Sequence, residues 1–141
     1  MRNILFLSAL LTLAPAAAFA TAPHDTPPQA VLQAFQKAFP NAQDVDWELE
    51  DGQYEAEFEL GNTEQSATFS ATGQLLETET EIAVSELPAP IRDYVAANYK
   101  GKKIKEASRI VTPTGTVTYE AEVKRRDLMF DAAGKFLETG K

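Results

Sequence analysis

The chain has 141 residues, of which 44% are hydrophobic and 24% are charged, and its formal net charge is −8. This balance is typical of a globular protein, and the length is too short for two large domains. The sequence contains no cysteine, which excludes disulfides, zinc–thiolate sites and thiol nucleophiles. A hydrophobic core must therefore hold the fold together.

The start of the chain has the pattern of a secretory signal peptide. Arg2 precedes an apolar run from Ile4 to Leu13, and Ala18-Phe19-Ala20 fits a cleavage site with small residues. The apolar run is short for a membrane span, and no cysteine follows it for lipid attachment. We therefore predict a signal peptide over 1–20, a location in the periplasm or outside the cell, and no membrane anchor after cleavage.

Residues 21–27 follow as a leader that contains prolines and lacks apolar periodicity, which predicts a flexible segment. The leader holds the single histidine of the chain, His24. A general base needs a rigid position beside a partner, so we interpret His24 as a solvated side chain.

Two segments with helical periodicity come next, and each is followed by residues that alternate between apolar and polar. Helices are predicted for Gln29 to Phe39, which follows Pro28, and for Ile91 to Tyr99, which follows Pro90. The alternation predicts strands on either side of turns such as Asp51-Gly52. These strands cover 44–50, 54–60, a stretch around 67–69, 76–82, 103–112, 116–124, 128–131 and 135–139.

The chain repeats one unit twice. Tyr54 to Phe58 recurs as Tyr119 to Val123, and Phe69 to Thr78 recurs as Phe130 to Thr139. The helical starts recur in the same order, which indicates repeats over 28–86 and 87–141. We predict an α+β fold of two tandem helix-plus-four-strand units, which form one continuous, curved antiparallel sheet with both helices on one face.

The order of these motifs resembles that of the beta-lactamase-inhibitor-like, PepSY-like family. The residues that carry the resemblance are Phe39-Pro40, Val45-Asp46-Trp47, Gly52 to Phe58, Phe69 to Thr78, Leu87-Pro88, Tyr119 to Val123 and Phe130 to Thr139. The second unit departs from the pattern because Glu106 falls near the position of the Trp. The resemblance implies a periplasmic or secreted protein, and its turn glycines and core aromatics specify a fold rather than a chemistry.

Carboxylates are concentrated on the polar side of the first predicted sheet. Strand parity places ten of them on one exposed face: Asp44, Asp46, Glu48, Glu50, Glu55, Glu57, Glu59, Glu77, Glu79 and Glu81. Acid–base catalysis by a carboxylate pair needs one carboxyl in a pocket with a raised pKa, and a flat solvated face has no such pocket. We therefore predict no enzymatic activity, no catalytic residue, no metal ligand and no cofactor.

Charge divides unevenly between the repeats. Residues 28–86 contain 13 acidic residues and 1 basic residue, whereas 87–141 contain 7 acidic and 11 basic residues. The acidic face is interpreted in three ways: as a solvated surface that keeps the protein soluble, as a docking surface for a cationic protein or peptide, or as a loose cation site.

Of these interpretations we favour an exported, non-enzymatic binding module that engages a protein or peptide, as an inhibitor or as an envelope accessory protein. A Ca²⁺-binding or purely structural envelope protein is the alternative. The basic segments do not indicate nucleic-acid binding, because the chain as a whole is acidic and is predicted to be exported. The sequence leaves the oligomeric state open.

Overall fold

The computed structural model describes residues 26–140, so the predicted signal peptide and most of the leader, including His24, lie outside the described residues. Two α-helices and one eight-stranded antiparallel sheet form, and the strands lie side by side in sequence order. The elements are α1 (Gln29–Ala38), β1 (Gln43–Glu50), β2 (Gln53–Leu60), β3 (Thr63–Ser70), β4 (Leu75–Glu81), α2 (Ala89–Asn98), β5 (Ala107–Val111), β6 (Val117–Glu122), β7 (Asp127–Asp131) and β8 (Phe136–Thr139). This confirms the predicted α+β fold.

The link between the two units is the β4–β5 pairing, in which Thr78 lies opposite Val111 and Glu81 lies opposite Ser108. This pairing makes the two four-stranded halves into one continuous sheet, as predicted. The boundaries differ most at β5, which was predicted over 103–112 but begins at Ala107. The preceding residues connect the end of α2 to the sheet, and Gly101 in this connection has a φ of 71°.

Each helix covers its own half of the sheet on one common face. Val31 and Phe35 of α1 pack against buried residues of β2 and β3, and Ile91 and Val95 of α2 pack against buried residues of β5, β6 and β7. The ring of Phe35 lies 5.1 Å from that of Phe58, measured between centroids. The helices thus take one face of the sheet and leave the other face open.

Strand β1 departs from the predicted alternation of buried residues. Trp47 packs against the first core as expected, but Val45 and Leu49 are 39% and 41% exposed. Strand β1 is an edge strand, and the first core is centred on β2 and β3. A bulge at Asp44, whose φ is 50°, also shifts the register at the start of the strand.

Candidate binding groove

The face of the sheet opposite the helices is concave and forms an open groove of about 450 Å³. The twist and coil of a long antiparallel sheet produce this curvature. Carboxylates from both repeats line the groove, and among residues 26–140 no Lys or Arg lines it. The carboxylates are Asp44, Asp46, Glu55, Glu57, Glu59, Glu64, Glu79, Glu81, Glu106 and Glu120.

Seven of the ten predicted carboxylates lie in this groove: Asp44, Asp46, Glu55, Glu57, Glu59, Glu79 and Glu81. The other three, Glu48, Glu50 and Glu77, are on the same face but outside the groove. They lie opposite Glu55, Gln53 and Thr68 on the neighbouring strands. The open face therefore has an acidic groove and an acidic region beside it.

Three carboxylates of the groove were missed by the sequence prediction. Glu64 lies opposite Glu59 across the β2–β3 hairpin, so the register of that hairpin would have revealed it. Glu120 is the repeat counterpart of Glu55 in the recurring Tyr-Glu-Ala-Glu motif. Glu106 lies just before β5, and no pattern in the sequence indicated it.

Like charges face each other directly across the strands of the groove. Asp46 lies opposite Glu57, and Glu59 lies opposite Glu64. Burial and the charges of neighbouring carboxylates raise the pKa of Glu57. Opposed like charges destabilise a sheet by a fraction of a kcal/mol per pair, about 0.2–1 kcal/mol. The acidic groove therefore forms against a penalty in folding stability.

Glu79 on β4 and Glu120 on β6, at the floor of the groove, are half-buried, as are Glu55 and Glu59 on β2. Burial raises the pKa of Glu79, although a hydrogen bond with Ser108 acts in the opposite direction. Burial, followed by repulsion from Glu79 and other carboxylates, raises the pKa of Glu120 to about 7. The face is therefore not flat and fully solvated as expected, because its curvature withdraws these two side chains from water.

Cationic side chains lie around the groove rather than in its lining. The Nζ of Lys105 is 2.7 Å from Oε1 of Glu106 and 3.5 Å from Oε2 of Glu122. The basic cluster Lys124-Arg125-Arg126 forms the turn between β6 and β7, where Lys124 and Arg125 have φ values of 56° and 61°. Apart from Arg92 in α2 and Arg109 in β5, the described basic residues of the second repeat lie in turns and connections, while its part of the groove is acidic.

Residues 26–140 contain neither a metal-binding cluster nor a membrane-spanning helix. Between residues 26 and 140, no group of three or more His, Cys, Asp or Glu side chains has an arrangement that could hold a metal ion. Neither α1 nor α2, the helices of this described part, combines the length and apolar character needed to cross a membrane.

Comparison with known proteins identifies a sequence family. The family model described as beta-lactamase-inhibitor-like, PepSY-like matches the chain over residues 17–76 and 52–138. No curated protein is similar enough in sequence to match. Together the two matched ranges span most of the chain, including both repeats.

Solved structures share the fold at low sequence identity. A DUF2874 family protein from Bacteroides ovatus ATCC 8483 superposes with a TM-score of 0.69 at 23% identity, over 82% of this chain and 88% of that chain. A BLIP-like protein from Bacteroides fragilis NCTC 9343 has a TM-score of 0.63 at 25% identity, over 81% of this chain and 85% of that chain.

A third structure, from Bacteroides eggerthii DSM 20697, has a TM-score of 0.71 at 18% identity, over 80% of this chain and 87% of that chain. The name of that protein assigns it to the periplasm. This agrees with the location that the signal-peptide pattern of the present chain predicts.

Proposed function

Since the chain belongs to the beta-lactamase-inhibitor-like, PepSY-like family, we propose that it is a non-enzymatic, exported binding module. Its acidic groove takes a cationic segment of another protein or of a peptide. The observation that carries this proposal is the lining of the groove, to which the described part of the chain contributes ten carboxylates and no cationic side chain. A cationic segment is the occupant that complements such a surface.

The range of the electrostatic attraction supports a partner that enters the groove. At physiological salt the Debye length is about 8 Å, so a charge that stays outside the groove is largely screened from its floor. Inside the groove, a Lys or Arg side chain comes close to carboxylates of several strands at once.

The size and shape of the groove favour a segment of polypeptide over a small enclosed ligand. Its volume of about 450 Å³ is within the range of binding clefts, about 300–1,000 Å³, but it is open to solvent along a sheet face. An open cleft of this size accommodates a few side chains of a larger partner, whose remaining surface stays outside.

The open shape of the groove favours binding over catalysis. Burial raises the pKa of Glu120 to about 7, but a general acid must also be held against a substrate in a site that excludes water. The groove lies open, so it does not exclude water from a reacting bond.

Similar proteins support the same function. The BLIP-like name of the Bacteroides fragilis protein connects this fold with binding to another protein. The periplasmic name of the Bacteroides eggerthii protein and the signal-peptide pattern support export to the envelope. An inhibitor or an envelope accessory protein fits both features.

Binding of a synthetic peptide with six lysines tests the proposal directly. The test variant carries Glu55→Gln, Glu57→Gln and Glu59→Gln, which removes three charges from the groove. At about 0.5 kcal/mol per exposed ion pair, the loss is about 1.5 kcal/mol, or roughly a tenfold higher Kd. Fluorescence anisotropy at pH 7.5 measures this change, and added salt should weaken binding to the unmodified protein.

The same face provides a control that is matched in charge. Replacement of Glu48, Glu50 and Glu77 by Gln also removes three charges from the open face, but outside the groove. We expect this variant to weaken peptide binding less than the groove variant, because Glu48, Glu50 and Glu77 lie beside the groove and do not line it. Equal weakening in the two variants would show general attraction to an acidic protein and would contradict a specific groove.

A further inference from the structure

Two of the half-buried carboxylates of the groove, Glu79 and Glu120, lie on opposite sides of one strand. Glu79 on β4 is opposite Ile110 of β5, and Glu120 on β6 is opposite Ser108 of β5. Ser108 also makes a side-chain hydrogen bond with Glu79. Strands β4 and β6 are about 10 Å apart, and the concave curvature of this face brings their side chains closer together. One serine therefore lies between the two carboxylates.

The neighbouring side chains shield these two carboxylates from water and place no positive charge beside them. Ile110, next to Glu79, is only 7% exposed. On the other side of Glu120, the cross-strand neighbour is Met129 of β7, which is half-buried. Apolar neighbours disfavour the ionised form of a carboxyl group, because it loses contact with water.

The charged groups that face the pair from the surrounding strands and connections are nearly all acidic. Lys105 is the nearby cation, and its two ion pairs, at 2.7 and 3.5 Å, go to Glu106 and Glu122 rather than to Glu79 or Glu120. The acidic groups come from β2, from β4, from the start of β5 and from β6, β7 and β8. They are Glu55, Glu77, Glu81, Glu106, Glu122, Asp127 and Glu138.

Burial and this surrounding charge act together on protonation. The pKa of Glu120 rises to about 7, and the pKa of Glu79 rises as well. Below about pH 7, the free groove therefore holds a proton that a fully solvated glutamate would have lost. A cation that enters the groove stabilises the ionised form, so its binding and this proton oppose each other.

We propose that Glu79 and Glu120 make the groove a proton-linked binding site, which holds a cationic segment at neutral pH and releases it on acidification. This inference rests on the proposed function, because it concerns the same groove and the same class of partner. On binding, the proton held on Glu120 passes to solvent, and the cationic side chain takes its place beside the two carboxylates.

Linkage gives the size of the effect. With a pKa of about 7 in the free groove, the Kd of a lysine peptide should rise about 10- to 30-fold between pH 7.5 and pH 5.5. Ordinary carboxylates titrate near pH 4 and lysine above pH 10, so neither changes charge within this range. At pH 6, binding should release about one proton per peptide.

The experiment uses the same six-lysine peptide, with a rhodamine label that does not titrate in this range. Anisotropy gives the Kd at pH 5.5, 6.5 and 7.5 and constant ionic strength for the unmodified protein and for two variants. The first variant is Glu120→Gln. The second is the control Glu138→Gln, because Glu138 is exposed on the edge strand β8 and is not among the carboxylates that raise the pKa of Glu120. Calorimetry at pH 6 in two buffers of different ionisation heat counts the released protons. His24 is present in all three proteins, so its titration cancels in the comparison.

We expect the large pH dependence and the proton release in the unmodified protein and in Glu138→Gln, and a Kd change below about threefold in Glu120→Gln. Binding with the same pH dependence in the unmodified protein and Glu120→Gln would overturn proton linkage and leave the groove function intact. Absence of peptide binding at every pH would overturn both.

Discussion

The raised pKa of Glu120 predicts that a neutral residue at this position stabilises the fold at high pH. Between pH 4.5 and 7 the folded chain holds a proton on Glu120 that the unfolded chain has lost, so stability falls as the pH rises through this window. Glutamine has nearly the same shape and carries no charge. Glu120→Gln should therefore be more stable than the unmodified protein at pH 8 and equally stable at pH 4.

The structure gives the magnitude. A difference between about 7 and the usual 4.5 corresponds to about 3 kcal/mol, at about 1.4 kcal/mol per pKa unit. Solvent screening at a half-buried site reduces this to about 1–2 kcal/mol. For a chain of this size, about 1 kcal/mol changes the melting temperature by roughly 4 °C, so the expected gain at pH 8 is about 4–8 °C.

Thermal unfolding followed by circular dichroism at pH 4, 6 and 8 measures this gain. Glu138→Gln serves as the control, because Glu138 is exposed on the edge strand β8 of the same sheet. Its melting temperature should follow that of the unmodified protein at each pH. An equal gain for Glu120→Gln at pH 4 and pH 8, or a loss at pH 8, would refute the conclusion that the half-buried, ionised Glu120 destabilises the fold.

Two further predictions concern the first core and the turn beneath its helix. Phe35→Ala should lower the free energy of unfolding by about 3–5 kcal/mol, because Phe35 is 7% exposed and packs against four other aromatic rings. The control is Gln36→Ala, at an exposed position of the same helix, which should change the free energy of unfolding in urea by less than about 0.5 kcal/mol. Similar losses of stability in the two variants would contradict the packing of Phe35. Gly73→Ala should destabilise the protein more than Gly52→Ala. Both glycines have a positive φ, but only at Gly73 would the new Cβ lie 2.6 Å from the carbonyl oxygen of Ala30. Equal urea midpoints for the two alanine variants would contradict this clash.

The fold could be predicted because its determinants are local and repeated. The helical stripes, the turn at Asp51-Gly52 and the recurring motifs each fix one element and its inward face. Edge effects could not be predicted from alternation alone. Val45 and Leu49 have the pattern of buried residues, yet they are exposed because the first core is centred on β2 and β3 rather than on β1.

The acidic face could be predicted in composition but not in shape. Strand parity identified seven carboxylates of the groove, because parity requires only the strand assignments. The groove itself depends on how far the eight-stranded sheet curves, and curvature is a property of the whole sheet. The half-burial of Glu79 and Glu120 follows from that curvature, so the sequence indicated charge where the structure shows charge partly withdrawn from water.

The position of the groove explains why two divergent repeats act together. The second repeat has a positive net charge, but apart from Arg92 and Arg109 its described cationic residues lie in turns and connections, while Glu106 and Glu120 extend the acidic lining. Glu79 belongs to the first repeat and Glu120 to the second, and they meet only because β4 pairs with β5. A single repeat would contain at most one of these two carboxylates. The proposed site is therefore a property of the joined sheet, and duplication without the β4–β5 pairing would not have produced it.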